Sequence, residues 1–119
     1  MAVAGPYVYD KAVLACSNKD WFHGELTTVQ ANHVLTVSQR DCFLVRVDRG
    51  ALVLSLCHRG QLHHIKIKYG PGWYELESGS AQYSFTELEE LVSHYSETVI
   101  SDDLKFTLGA ACEKTGIKD

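Results

Sequence analysis

A short apolar run that ends in an arginine is the most chemically suggestive feature of the sequence. The run from Cys42 to Arg46 reads CFLVR and is apolar until its last residue. Alternation along a strand sends Leu44 and Arg46 to the same face, so Arg46 starts from a buried strand and points beneath the preceding helix. A guanidinium there needs a partner, because an unpaired buried charge is very costly. The partner would be either the Asp48 carboxylate, in an ion pair, or a ligand anion bound by two parallel hydrogen bonds.

Further basic residues surround this strand in the sequence. Residues 40 to 70 carry six basic and two acidic side chains, although the net charge of the chain is −4. His64 and Lys66 lie on one face of a later strand, where they are placed to flank the same pocket. A local basic excess on an acidic protein suits a small, highly charged anion better than a nucleic-acid backbone. Solvated strand edges are the alternative explanation.

The elements that must position these residues follow from periodicity and capping signals. Thr27 with Gln30 forms a capping box, which predicts a helix over about 28–37. Strands are predicted over 42–47, 51–57, 62–68 and 73–76, separated by glycine-containing turns.

The predicted second helix begins at Thr86 as its cap, with Glu89 completing the box and an apolar stripe that ends at Tyr95. A closing extended piece is expected at 106–108. This order predicts an α+β domain, in which a central antiparallel β-sheet is flanked by two α-helices.

Composition sets the protein class. A chain of 119 residues, 45% of them hydrophobic, is typical of one globular domain. It has no apolar run of about 20 residues, and its first residues do not resemble a secretory signal, so we expect a cytoplasmic protein. The four cysteines show no paired spacing, and we expect free thiols, although an even count leaves disulfides open. His63 and His64 point to opposite strand faces, which disfavours a metal site.

These motifs together resemble the Src-homology-2 (SH2) domain. The quoted segments are WFHG from Trp21, FLVR ending at Arg46, GALVLS ending at Ser55, HIKI from His64 and LEELVSHY ending at Tyr95. Their order and spacing resemble the family pattern. The similarity is greatest to the N-terminal SH2 domain of tyrosine phosphatases that contain two SH2 domains. We expect the domain at 20–110, an N-terminal extension or linker at 1–19 and a C-terminal tail at 111–119.

The resemblance implies a phosphotyrosine site made of Arg46, His64, Lys66, Arg49 and Ser55. Arg46 would bind the phosphate, His64 would brace the pocket, and Lys66 would lie against the phosphotyrosine ring. The loop after Arg46 is shorter than in the family and lacks its usual hydroxyl residues. We expect Arg49 to compensate for these lost contacts by turning inward.

Two further features of the site follow from the sequence. Asp48 brings negative charge towards the phosphate, and Val53 replaces a small or hydroxyl-bearing residue. The residues expected to select the peptide are Ile65, Tyr95 and Leu104, which would form an apolar pocket. Ordinary core packing is the alternative role for the first two.

The function expected from this resemblance is docking of tyrosine-phosphorylated proteins by a monomeric signalling adaptor. We expect no catalysis, cofactor, metal, nucleic-acid binding or membrane insertion. The sequence has no glycine-rich phosphate loop and no Gly-x-Ser-x-Gly motif. A degenerate SH2 fold that acts as a phosphate-independent scaffold is the alternative.

Overall fold

The computed structural model describes residues 16, 18–77, 83–101 and 104–112. In chain order, the helices and strands of this part are β1 (Phe22–Glu25), α1 (Thr28–Ser38), β2 (Cys42–Asp48), β3 (Ala51–His58), β4 (Gln61–Gly70), β5 (Trp73–Leu76), α2 (Leu88–Glu97) and β6 (Ala110–Ala111). The two predicted helices and the strands predicted over 42–47, 51–57, 62–68 and 73–76 are therefore present, and most of their boundaries move by only one or two residues.

The strands form one mixed sheet, in which β2, β3, β4 and β5 are successively antiparallel. Arg49-Gly50 and Arg59-Gly60 close the first two of these hairpins, and all four residues have φ between 53° and 82°. Two consecutive positive φ values are typical of the tight turns whose twist matches antiparallel strands. At the other edge, β1 and β6 both pair parallel with β2. The α+β fold with two flanking helices is confirmed, and the two short parallel strands make the sheet mixed.

Each face of the sheet is covered by one helix. The larger core includes Val45, Leu54 and Ile65 from the sheet, together with the predicted stripe of α2, namely Leu88, Leu91, Val92 and Tyr95. The smaller cluster beneath α1 contains Leu35, Cys42, Leu44 and Cys112. Arg46 follows Cys42 and Leu44 on the same face of β2. The side chains of β2 that lie beneath α1 are therefore apolar up to Leu44 and charged at Arg46.

The two helix starts differ from each other. The capping box of α1 is confirmed, because Gln30 donates its backbone N–H to Thr27 Oγ1 and accepts the Thr27 N–H on its side chain. The predicted cap of α2 is wrong. Its cap position is Glu87, without a side-chain bond, and the Thr86 hydroxyl donates to Glu90 Oε1 at 2.9 Å. Thr86 lies one residue too early to cap this helix.

A disulfide joins Cys42 to Cys112 across 70 residues of sequence. The expectation of free thiols is wrong for this pair, because the parallel contact between β2 and β6 brings the two side chains together beneath α1. Cys16 and Cys57 are free. No spacing rule could have indicated the pair, since only the tertiary pairing of β6 makes the two residues neighbours.

Residues at both ends of the predicted domain pack onto it. The backbone N–H of Leu108 donates to Tyr95 O, and that of Cys112 donates to Phe43 O. Strand pairing occurs at 110–111 rather than at 106–108. At the other end, Cys16 is buried in the larger core. The rest of the predicted extension, 1–15 and 17, and of the predicted tail, 113–119, lies outside the described residues.

Candidate functional site

Arg46 is the centre of the polar cluster beneath α1, and only 2% of its surface is exposed. Its Nε donates to Ser55 Oγ at 2.9 Å, and its Nη2 donates to Thr28 Oγ1 at 3.2 Å. Its Nη1 donates both to Leu26 O at 3.0 Å and to Asp48 Oδ2 at 3.1 Å. The buried charge is therefore compensated by one carboxylate and three neutral oxygens, as buried arginines require.

Two charged residues, Asp48 and Arg49, lie where β2 ends and the short turn begins. Asp48 is the last residue of β2 and pairs directly with Ala51 across the hairpin. The side chain of Asp48 is 26% exposed, whereas that of Arg49 is 95% exposed. The expected inward turn of Arg49 is therefore wrong for this structure: Arg49 lies in the tight turn, and its side chain extends into solvent. Arg49 Nε still lies 3.9 Å from Asp48 Oδ1.

Ser55 and His64 extend the network away from Arg46. The two residues are cross-strand neighbours on β3 and β4, and Ser55 is fully buried. The Ser55 hydroxyl donates to His64 Nδ1 at 2.8 Å, and His64 Nε2 donates to Asn32 Oδ1 at 2.8 Å. Partial burial and the nearby Arg46 charge lower the pKa of His64 below its ordinary value of 6.5. Each bond is satisfied by the neutral ring protonated on Nε2.

An open cleft of about 520 Å³ lies over this network. Its lining residues are Thr28, Arg46, Asp48, Arg49, Ala51, Val53, His64, Lys66 and Glu77. The cleft is thus lined by three cationic side chains, Arg46, Arg49 and Lys66, and by two carboxylates, Asp48 and Glu77. Val53 on β3 pairs in register with Arg46 on one side and with Lys66 on the other. The structure brings together four of the five residues predicted for the anion site at this surface. The fifth, Ser55, supports the cleft from beneath.

Sequence reasoning missed three polar residues of this site. Thr28 and Asn32 lie one turn apart on α1 and both bond to the cluster, so their i, i+4 spacing was a usable signal. Glu77 follows β5 and donates its backbone N–H to Lys66 O at 2.9 Å. No local pattern marks Glu77, because only the pairing of β4 with β5 places it beside the cleft.

The three residues predicted to select the peptide lie on the opposite face of the sheet. Ile65 is 6% exposed and Tyr95 1% exposed, and both belong to the larger core. Leu104 is half-buried against the same core. The structure therefore brings the trio into one apolar cluster, and their role in selecting a peptide stays a prediction.

Two general observations concern the described part of the chain. No group of three or more histidine, cysteine, aspartate or glutamate side chains is arranged there to hold a metal ion. None of the helices in these residues is long and apolar enough to cross a membrane.

The structure thus consists of a mixed sheet between two helices, with a buried arginine beneath the first helix. The SH2 domain model matches residues 21–95, and the chain belongs to the SH2 family. SH2 domains are binding modules. The resemblance expected from the sequence is thus confirmed.

Two curated relatives share this region. The chain is 29% identical over 84 residues to mouse SH2 domain-containing protein 2A, covering 68% of this chain and 22% of that protein. It is 32% identical over 101 residues to the Drosophila melanogaster tyrosine-protein phosphatase corkscrew, covering 82% of this chain and 11% of that protein. The chain therefore spans less than a quarter of either relative. The second match confirms the expected similarity to a tyrosine phosphatase.

Two solved structures have the same fold. One is the solution structure of the VAV1 SH2 domain complexed with a tyrosine-phosphorylated peptide from SLP76. Its TM-score is 0.71 at 26% identity, covering 82% of this chain and 74% of that chain. The SH2 domain of human proto-oncogene protein VAV1 gives a TM-score of 0.69 at 27% identity, covering 80% and 71%.

Proposed function

We propose that this domain binds tyrosine-phosphorylated peptides and so docks a phosphorylated partner, as a monomeric signalling adaptor in the cytoplasm. The observation that carries the proposal is the buried Arg46 guanidinium at the base of an open cleft. A phosphotyrosine carries about −1.5 to −2 charges at neutral pH and three acceptor oxygens. The planar guanidinium suits two of these oxygens in a bidentate contact.

Lys66 and His64 complete the proposed phosphotyrosine site. Both lie on the α1 face of β4, separated from Arg46 by β3, and both line the cleft. The ammonium group of Lys66 would lie against the phosphotyrosine ring, where a cation is attracted by the ring face. His64 would brace the site through its bonds to Ser55 and Asn32 rather than bind the phosphate.

The peptide would leave this cleft across the edge of β4. Strand β5 pairs with β4 only from Ile67 to Gly70. Among the described residues, the first half of β4 has a strand partner only on its β3 side. An extended peptide crossing there would pass from Lys66 on one face to the cluster around Ile65 and Leu104 on the other. We propose that this cluster reads apolar peptide residues after the phosphotyrosine.

An enzymatic role is disfavoured even though a serine, a histidine and an asparagine lie in hydrogen-bonding series. Ser55, His64 and Asn32 have the connectivity of a nucleophile, its base and an orienting group. However, Ser55 is fully buried and its oxygen accepts the N–H of Arg46. A substrate carbon has no access to that oxygen, so the series supports Arg46 and is not a catalytic triad.

A phosphate-independent scaffold is the second candidate, and the Arg46–Asp48 ion pair favours it. The guanidinium is already paired with a carboxylate at 3.1 Å, so the fold does not need a ligand anion to compensate it. The short turn also offers few donors around the cleft, since both residues between the strands are committed to a tight hairpin.

Titration with a phosphotyrosine peptide library and its unphosphorylated counterparts separates these candidates. Each peptide pair is measured by fluorescence polarisation against the same protein preparation. Binding of phosphorylated peptides alone supports the proposed function. Equal binding of both members of each pair would instead establish the scaffold. Turnover of phosphotyrosine to phosphate in the same samples would contradict a pure binding role.

A further inference from the structure

The guanidinium of Arg46 has almost no free donors in this structure. A guanidinium carries five N–H groups. One is donated to Ser55, two to Leu26 and Asp48, and one to Thr28, which leaves a single N–H on Nη2. A bidentate contact with an oxyanion needs two parallel N–H groups. A phosphate can therefore bind in this way only if one of the four acceptors moves.

Two of the four acceptors are fixed in place. The acceptor in Leu26 is its backbone carbonyl oxygen. The backbone N–H of the same residue donates to Val47 O, so Leu26 cannot move without breaking its bond to the sheet. Ser55 is fully buried and also donates to His64. Displacing either acceptor would break a second hydrogen bond of the fold.

Thr28 and Asp48 differ in how they would meet a phosphate. The Thr28 hydroxyl is both donor and acceptor, so it can remain in place and donate to a phosphate oxygen. The Asp48 carboxylate accepts only, and a phosphate dianion beside it would repel it. Asp48 is also the more mobile by position, since it lies at the end of β2 with a side chain 26% exposed. Asp48 is therefore the acceptor that a phosphate must displace.

Arg49 offers the displaced carboxylate a new partner. Its Nε already lies 3.9 Å from the other carboxylate oxygen of Asp48, and its side chain is almost completely exposed. If the Asp48 side chain rotated towards solvent, its ion-pair partner would change from Arg46 to Arg49, and the backbone of the hairpin would stay as it is. The new ion pair would be weak, because water screens the attraction between exposed charges.

We propose that Asp48 is an internal competitor that occupies the Arg46 guanidinium until a phosphate displaces it. This inference rests on the proposed phosphotyrosine site and deepens it, because it identifies the residue that sets the affinity of that site. The competitor lowers phosphate affinity, since each ligand must first break an ion pair to a buried guanidinium. Its removal should raise phosphate affinity about tenfold, the change expected for roughly 1.4 kcal/mol.

The test compares Asp48→Asn with the parent chain and with Asp20→Asn. Asparagine keeps an oxygen for Arg46 and removes the charge, and the dispersion of the NMR spectrum shows whether each variant is folded. Asp20 is exposed and precedes β1, so its variant gives the same change in net charge outside the cleft. Phenyl phosphate and one phosphotyrosine peptide are titrated into each protein by NMR at low and moderate salt.

We expect both ligands to bind Asp48→Asn about tenfold more tightly than the parent, and Asp20→Asn to match the parent. Binding by Asp48→Asn alone, with none by the parent, would also support the internal competitor. Equal affinity of parent and Asp48→Asn, or an equal gain in Asp20→Asn, would overturn the competitor while leaving the phosphotyrosine site standing. Absence of binding in all three proteins would overturn both.

Discussion

Exchanging Arg46 for lysine tests the geometry of the anion site while keeping its charge. A lysine ammonium cannot reproduce the planar pair of donors, so one of two charge-assisted bonds to the phosphate is lost. Such a bond contributes about 1.5–3 kcal/mol, so phosphopeptide affinity should fall roughly 10- to 100-fold. The lysine also loses the Nε bond to the fully buried Ser55 oxygen. The free energy of unfolding should therefore fall by about 1–3 kcal/mol, the cost of a buried polar group left unpaired.

Arg49→Lys is the matched control, because it makes the same exchange at a side chain that is 95% exposed. Its free energy of unfolding should stay within about 0.5 kcal/mol of the parent. Affinity is measured by isothermal titration calorimetry with a phosphotyrosine peptide, and stability by urea denaturation. The reasoning fails if Arg46→Lys binds within twofold of the parent. It also fails if Arg49→Lys loses as much affinity as Arg46→Lys.

Three further predictions follow from other parts of the structure. Reduction of the Cys42–Cys112 disulfide should lower the free energy of unfolding by about 4 kcal/mol, the chain-entropy value for a closed loop of about 70 residues; urea denaturation with and without reductant measures it. Because the pKa of His64 is lowered in the folded state, the unfolded chain binds protons more readily, and stability should decrease as the pH falls through about 6.5. Leu104→Ala should reduce the preference for apolar residues after the phosphotyrosine by about 1 kcal/mol in the peptide-library assay.

Each of these three has its own control. A Cys112→Ser variant that is as stable as the oxidised parent would contradict the disulfide prediction. In a His64→Gln variant, the free energy of unfolding should decrease less as the pH falls through about 6.5. If its dependence on pH is the same as in the parent, other groups cause the decrease. Leu62→Ala changes an exposed leucine at the start of the same strand, β4. An equal shift in that variant would mean that Leu104 does not read the peptide.

Local sequence signals determined most of the fold and the centre of the site. The period of two along residues 42–48 places Arg46 on the face that α1 covers, and the structure has it there. The Arg-Gly pairs determine two tight turns, and Thr27 with Gln30 determines the start of α1. Each of these signals depends on residues within a few positions of one another, so no tertiary information is needed to interpret it.

The partners of those residues were decided only by the tertiary structure. The sequence left open whether Arg46 forms an ion pair with Asp48 or is compensated only by a ligand anion. The structure contains the ion pair. The spacing of Thr28 and Asn32 places both on one face of α1, but it does not identify His64 as the partner of Asn32. No spacing pairs Cys42 with Cys112. These contacts join segments 32 and 70 residues apart, whose distance depends on how the helices and β6 pack onto the sheet. Periodicity assigns a side chain to a face, whereas only packing determines which side chain lies opposite it.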